Sequence, residues 1–168
     1  GPGRRGFRVN RDGARTLMFR LSKKALFAIE AVLDIAYHAG AEPVQSHEIT
    51  RRQGIPRRYL EQALQQLVRS GILVGVRGPR GGYRLARERR RINVGDIVRV
   101  VHASDGPDGE DPEIAGSELG LKVVQPLWLE MQETIMQRLD ETSIDDLCGE
   151  ADNAGILSEG RQTLDFTI

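Results

Sequence analysis

The feature that most limits the fold of this chain is a pair of short helical segments on either side of a break at residues 54–56. Ser46 can cap a helix over residues 47–53, and the glycine of the break then ends it. The proline of the break suits the first turn of a second helix, which runs to about Ser70. Two helices joined by about three residues that include a glycine indicate a helix-turn-helix.

A glycine-rich, basic hairpin follows this pair of helices. Two β-like runs, 72–76 and 83–85, enclose the sequence Arg-Gly-Pro-Arg-Gly-Gly at residues 77–82. An amphipathic helix over residues 22–39 comes first in the chain, with Ser22 placed as its N-cap and Gly40 as its C′ glycine. Three helices and then a basic hairpin predict a winged helix, a mainly α fold with a small β-hairpin wing. The predicted inner faces of the first and third helices are Leu26, Ile29, Val32, Leu33 and Ala36, and Leu60, Ala63, Leu64, Leu67 and Val68.

The second half of the chain predicts a helix for self-association. A helix over residues 93–103 and an acidic linker over 104–117 lead to a long helix over 119–139. Apolar residues recur along the long helix at steps of three and four, which suits a partner helix, although the same seam could pack within its own chain. A short capped helix over residues 142–147 follows. We expect a homodimer through Leu121, Val124, Trp128, Met131, Ile135 and Leu139.

These segments divide the chain into five parts. Residues 1–17 are interpreted as a cleavage scar and a disordered, Arg-rich arm, and residues 18–91 as a winged helix-turn-helix DNA-binding domain. Residues 92–118 combine a helix with a flexible acidic linker, and residues 119–150 hold the dimerisation helix and the short helix. Residues 151–168 are predicted to be a flexible C-terminal tail.

The net charge of zero hides a strong asymmetry between the two halves of the chain. Residues 1–91 carry 20 Lys and Arg against 7 Asp and Glu, whereas residues 92–168 carry 4 against 17. Without the N-terminal arm, residues 18–91 still carry 15 basic and 6 acidic residues. A basic segment of this kind favours a polyanion as partner, although the two halves could also pair with each other.

The second helix of the helix-turn-helix and the hairpin tip are the candidate DNA contacts. A recognition helix reads base edges and phosphates with its first turn, where Arg can bond guanine or phosphate. Glycines at the hairpin tip let the backbone come close to DNA. A solvated basic turn, a loose hairpin or an adaptor that binds only protein would be the alternatives. The predicted DNA-contact residues are Ser46, Arg57, Arg58, Tyr59, Glu61, Gln62, Arg77, Gly78, Arg80, Gly81 and Tyr83.

Enzymatic and metal chemistry find little support in the sequence. The three histidines show no metal-ligand spacing, and no nucleophile and base can be paired. The single cysteine, Cys148, excludes an intramolecular disulfide framework. With no run of 18 apolar residues and no secretory signal, we expect a cytoplasmic protein that is not an enzyme and needs no cofactor.

Several motifs resemble the Rrf2 superfamily of bacterial winged-helix transcriptional regulators. They are Arg-Leu-Ser at residues 20–22, Ile-Pro-Arg-Arg-Tyr-Leu-Glu-Gln at 55–62, Val-Arg-Gly-Pro-Arg-Gly-Gly-Tyr-Arg-Leu at 76–85 and Val-Gly-Asp-Ile-Val at 94–98. The resemblance covers about residues 19–148. It implies a homodimer that binds palindromic operators through the recognition helix and the wing. The positions that match the family's DNA-reading residues are Arg58, Glu61 and Arg77.

The resemblance also bears on what the regulator senses. Iron–sulfur members carry three cysteines in the linker, whereas residues 102–118 contain none, and a helix position that supplies a carboxylate in some members is Leu26. The chain therefore resembles the family's cluster-free cysteine-metabolism repressor, with an iron–sulfur or redox sensor using Cys148 as the alternative. The last four residues resemble the peptide by which serine acetyltransferase docks in cysteine synthase, which implies that enzyme as partner of Asp165, Phe166, Thr167 and Ile168.

Overall fold

The computed structural model describes residues 22–104 and 116–161 of the chain. The described residues form six α-helices and one antiparallel hairpin, which confirms the predicted fold class. The N-terminal arm, most of the predicted linker and the last seven residues lie outside the described residues. The elements are α1 (Lys23–Tyr37), α2 (Ser46–Gln53), α3 (Arg57–Arg69), β1 (Leu73–Val76), β2 (Gly82–Leu85), a 3₁₀ turn (Arg89–Arg91), α4 (Val94–Ser104), a π-helical turn (Gly120–Val124) that leads into α5 (Gln125–Asp140), and α6 (Ile144–Asn153).

Helix α1 contacts α2, α3, α4, α6 and β2, so the core is built around it. Its most buried stripe includes the alanines Ala25, Ala28 and Ala31, which are completely buried and leave room for the crossing helices. The predicted inner face of α1 was therefore partly wrong, because Leu26 lies beside this stripe and is 45% exposed. Val68 of α3 is also more exposed than predicted, at 36%.

The ends of α1 were predicted with mixed success. Ser22 caps the helix as expected, since its hydroxyl accepts a hydrogen bond from the backbone N–H of Ala25 at 3.3 Å. The helix ends at Tyr37, two residues earlier than predicted, and His38 forms the C-cap. Gly40 does not take up the left-handed backbone of a C′ glycine. Instead, a Cβ atom at this position would lie 3.3 Å from the Cα of Gly160, so the residue is small because another segment passes close to it.

The break between α2 and α3 lies where the sequence predicts it, but Pro56 is the N-cap of α3 and not its first helical residue, which is Arg57. Gly54 ends α2 with a left-handed φ of 66°, and Gly71 follows α3 with a φ of 78°. Helix α2 begins at Ser46 itself, so its N-cap is Gln45 and not the predicted Ser46. The backbone N–H of Gln45 donates to the carboxylate of Glu48 at 2.9 Å, as in a capping box.

The C-terminal half packs back onto the N-terminal half through α4, α6 and residues 156–161. Met136 of α5 packs on Val94 and Val98 of α4. The short helix predicted over 142–147 extends to Asn153, with Ser143 as its N-cap. The structure of residues 151–161 differs from the predicted flexible tail, because residues 151–153 are helical and residues 156–161 contact α1 and α2. None of the helices in the described ranges has the length and apolar character that crossing a membrane requires.

Candidate nucleic-acid interface

The start of α3 presents two arginines on the surface. The side chain of Arg57 is 86% exposed, and its Nε donates to Glu61 one turn later at 2.9 Å. The guanidinium of Arg58 lies 5.3 Å from the centre of the Tyr59 ring, and Gln62 is exposed one turn further along. Tyr59 itself is half-buried and packs against the core, so its ring makes a cation–π contact with Arg58 from a fixed position.

The wing pairs β1 with β2 from Leu73 opposite Leu85 to Val76 opposite Gly82. At the tip, the backbone N–H of Gly81 donates to the carbonyl of Gly78 at 2.9 Å. A Cβ atom at Gly81 would come within 2.2 Å of the Val76 carbonyl oxygen, and Gly78 has a φ of 109°. The turn itself therefore requires these two glycines, whether or not DNA approaches them.

A short β-bridge ties the wing to the loop before α2. Val44 and Tyr83 exchange both backbone hydrogen bonds, at 3.0 and 2.8 Å. Arg80 at the tip adds a longer ion pair to Glu42 at 3.4 Å. The wing is thereby fixed beside the N-terminus of α2, and the exposed Ser46 faces it across a groove.

This groove, with a volume of about 700 Å³, lies between α2, the end of α3 and the wing. Five of the predicted DNA-contact residues line it, namely Ser46, Arg77, Gly78, Gly81 and Tyr83, together with six residues that the sequence did not single out as DNA contacts. Most of these six residues lie beside predicted ones in the sequence, whereas Val68, at the end of α3, is brought to the groove only by the fold. The six residues are Gln45, His47, Val68, Gly75, Val76 and Gly82.

Part of the basic charge of the N-terminal half is neutralised within the chain. Arg51 and Arg52 pair with Glu159 at 2.9 and 2.7 Å, and Arg89 pairs with Asp145 at 2.7 Å. The alternative in which the two halves pair with each other is thus correct for these residues. Arg58 and Arg77, in contrast, have no carboxylate of a described residue within salt-bridge distance.

An apolar stripe runs along α5 and the π-helical turn before it. Its side chains are 38 to 59% exposed in the single chain. Leu139, which was predicted to belong to the same seam, instead packs against Val94, Val98 and Met136. We call the remaining stripe the α5 face; it consists of Leu121, Val124, Trp128, Met131 and Ile135.

Cys148 lies on α6 with 2% of its surface exposed. Burial raises the pKa of its thiol, and the nearby charge of Arg89 opposes that shift only in part. A buried thiol with a raised pKa is a poor nucleophile and a poor metal ligand. No three His, Cys, Asp or Glu side chains of residues 22–104 and 116–161 come together in a way that could hold a metal ion.

Comparison with known proteins gives a consistent result. The model of the Rrf2 family, described as an iron-dependent transcriptional regulator, matches residues 21–150. The transcriptional regulator IscR of Vibrio vulnificus is 31% identical over 152 residues, which is 89% of this chain and 88% of that protein. IscR of Xenorhabdus nematophila is 36% identical over 130 residues, covering 76% of this chain and 78% of that protein.

Two solved structures are similar in fold. The structure of T. potens IscR has a TM-score of 0.67 at 33% identity, covering 84% of this chain and 94% of that one. The structure of CymR, the global cysteine regulator of B. subtilis, has a TM-score of 0.63 at 27% identity, covering 79% of this chain and 98% of that one.

Proposed function

The chain belongs to the Rrf2 family of transcriptional regulators, and from this premise we propose that it binds palindromic duplex DNA as a homodimer. In each subunit the start of α3 enters the major groove and the wing tip contacts the flanking backbone or groove. Arg58, Glu61 and Arg77 are the proposed base-reading residues. The observation that carries the proposal is the position of Arg58 and Arg77, two arginines without a described carboxylate partner, on adjoining elements of a winged helix.

The α5 face supports the proposed dimer. Five large apolar side chains in one stripe, each more than a third exposed, would be unfavourable in an isolated chain in water. Packing the stripe against a second copy removes this surface from water and places two recognition helices in a symmetric pair. A two-fold dimer matches a palindromic operator, with one half-site for each subunit.

The proposed function predicts binding that depends steeply on salt, with a contribution from Arg77. If about 6–10 phosphates are contacted, affinity for a cognate genomic fragment should fall about 10³- to 10⁵-fold between roughly 50 and 200 mM salt. Arg77→Ala should cost about 1–3 kcal/mol if the side chain reads a base. Fluorescence anisotropy over a salt series measures both effects.

Arg90→Ala is the matched control for Arg77→Ala. Arg90 is 74% exposed, but it lies in the 3₁₀ turn after the base of the wing and its ion pair is to Glu88. This variant should therefore bind nearly as well as the wild type. Salt-independent binding, failure to bind any genomic fragment, or equal losses for the two variants would contradict the proposed interface.

We infer that the genes controlled belong to cysteine or sulfur metabolism and that the regulator acts as a repressor. One support is the similarity to a structure described as a global cysteine regulator. Another is the donor set, since a chain with one buried cysteine does not fit a cluster held by cysteine ligands. Cysteine synthase stays the predicted partner of residues 165–168, which lie outside the described residues.

An iron-responsive regulator is the second candidate, because the family model is described as iron-dependent and several relatives are IscR. The visible absorbance of protein purified without oxygen distinguishes this iron-responsive regulator from the proposed regulator of cysteine metabolism. Cys148 is buried, and the described residues offer no further ligands that come together around a metal. We therefore expect no absorption from an iron–sulfur cluster, and the same visible spectrum for the wild type and Cys148→Ala. Cluster absorption that Cys148→Ala abolishes would instead support a sensor that uses this thiol.

A further inference from the structure

The six residues that follow α6 and its terminal turn cross back onto the DNA-binding half. We call residues 156–161 the C-terminal latch. The hydroxyl of Tyr37 donates to the carbonyl of Ile156, and the Ser158 hydroxyl donates to the carbonyl of Tyr37 at 2.7 Å. The backbone N–H of Glu159 donates to Nδ1 of His38 at 3.0 Å. The latch is therefore held at the end of α1 by three hydrogen bonds.

The latch fits against the chain after α1 without spare room. Ser158 and Gly160 are buried. A Cβ atom at Gly160 would lie 2.1 Å from the carbonyl oxygen of Ala39 and 2.5 Å from that of His38, so only glycine allows this contact. Gly40 faces this contact with slightly more room, since a Cβ atom there would lie 3.3 Å from the Cα of Gly160, so the two backbones meet directly. A loosely attached tail would need no such pair of glycines.

The latch also reaches the first helix of the helix-turn-helix. The carboxylate of Glu159 accepts from Arg51 at 2.9 Å and from Arg52 at 2.7 Å, both on α2. Arg52 in turn makes two hydrogen bonds to the buried carboxylate of Asp34 on α1, at 2.9 and 2.8 Å. The latch thereby joins α1 and α2 through charge-assisted bonds, and α3 packs against both of these helices.

Closure of the latch depends on a neutral His38, because Nδ1 must accept the hydrogen bond from Glu159. The charged groups that face the imidazole are Asp34 on α1, Arg51 and Arg52 on α2, and Glu159 on the latch. Burial lowers the pKa of His38 below its usual value of 6.5, the charge of Arg52 lowers it further, and the two carboxylates oppose the shift. Protonation removes the acceptor and places a third cation beside the two arginines.

We propose that the C-terminal latch is a positioning device for operator binding, in which the closed latch fixes α2 against α1 and so preorganises the helix-turn-helix. This inference rests on the proposed function. Fixing the DNA-binding geometry in advance lowers the cost of ordering it on the operator, so the closed state binds more tightly.

The sign of the pH effect follows from the lowered pKa. The latched state disfavours the imidazolium form of His38. The stabilisation that the latch provides is therefore fully present above pH 6.5, and it is lost as the pH falls through the lower pKa that His38 has in the latched state. Operator affinity should fall over the same range. A control variant without the His38 imidazole separates this effect from any other pH dependence of operator binding.

The test compares the full-length wild type with His38→Asn. The asparagine carbonyl oxygen can accept the Glu159 hydrogen bond and does not titrate. Between pH 7.5 and 5.5, wild-type affinity for a cognate duplex should fall about fivefold or more beyond the fall seen for His38→Asn. Exchange of the Glu159 amide hydrogen, corrected for the intrinsic effect of pH, should accelerate in the wild type and stay slow in His38→Asn. Glu159→Gln, which keeps the shape but not the charge, should weaken binding at pH 7.5.

The outcomes separate the latch from the proposed function. Duplex binding with the same pH profile for wild type and His38→Asn would overturn the latch as a positioning device. Faster exchange of the Glu159 amide without any change in affinity would overturn it as well, because the segment would then open without effect on the DNA-binding half. A wild type that binds no duplex at pH 7.5 would instead contradict the proposed function itself.

Discussion

Replacing both Trp128 and Met131 by aspartate is expected to yield monomers and to lower operator affinity by about 10²-fold or more. Both side chains are about half-exposed in the single chain and lie on the α5 face. In the proposed dimer they would become buried, and two carboxylates in an apolar interface have no partner to offset the loss of water. A monomer holds one half-site only and loses the gain of about 10²–10⁴ that comes from linking two binding units.

The control for this variant carries a new aspartate on another side of the same helix. Gln137 of α5 is exposed, and the helical period places it on the side opposite to Trp128. Gln137→Asp should leave the dimer and operator binding nearly unchanged. Sedimentation velocity measures the assembly, and anisotropy on the same samples measures the affinity. A Trp128→Asp/Met131→Asp protein that stays dimeric would move the interface away from α5.

The helix-turn-helix and the wing could be predicted because their signals are local. A glycine that ends a helix and a proline that begins one act on their own backbone, so Gly54 and Pro56 mark the break without reference to the rest of the fold. The hairpin tip is equally local, since Gly78 and Gly81 meet the needs of a turn only a few residues long. These elements also carry the proposed DNA contacts, which is why the family was recognisable from short motifs.

Long-range packing explains where the sequence prediction failed. Gly40 was taken as a helix terminator, but its small size admits Gly160, which lies 120 positions further along the chain. On α1, Leu26 was predicted to be buried, but the residues at the contact with the crossing helices are alanines. The helical period identifies which face is buried but not how closely the next helix approaches it. The C-terminal latch has no local signature, so its residues looked like the beginning of a tail.

Arg52 is the clearest case of a residue whose role depends on the tertiary structure. In the sequence it is one of many basic residues in a segment expected to face DNA. In the structure its side chain is 8% exposed, and the Asp34 side chain that it contacts is fully buried. The hydrogen bonds to Asp34 and Glu159 raise the pKa of Arg52 and keep it charged. The charge of Arg52 therefore pairs with carboxylates of α1 and of the latch and is not available to DNA.

Arg52→Ala is therefore expected to lower the free energy of unfolding by about 3–5 kcal/mol, because it leaves the buried Asp34 carboxylate without its cation. Arg51→Ala is the matched control on the same helix: Arg51 also pairs with Glu159, but its side chain is 60% exposed and the loss should stay below about 1 kcal/mol. Urea unfolding at one fixed protein concentration measures both, since a dimer's stability depends on concentration. Combining Arg52→Ala with Asp34→Asn should recover part of the loss, because no unpaired charge then remains buried. Equal losses for Arg51→Ala and Arg52→Ala would show that the Asp34 pair does not hold α2 in place.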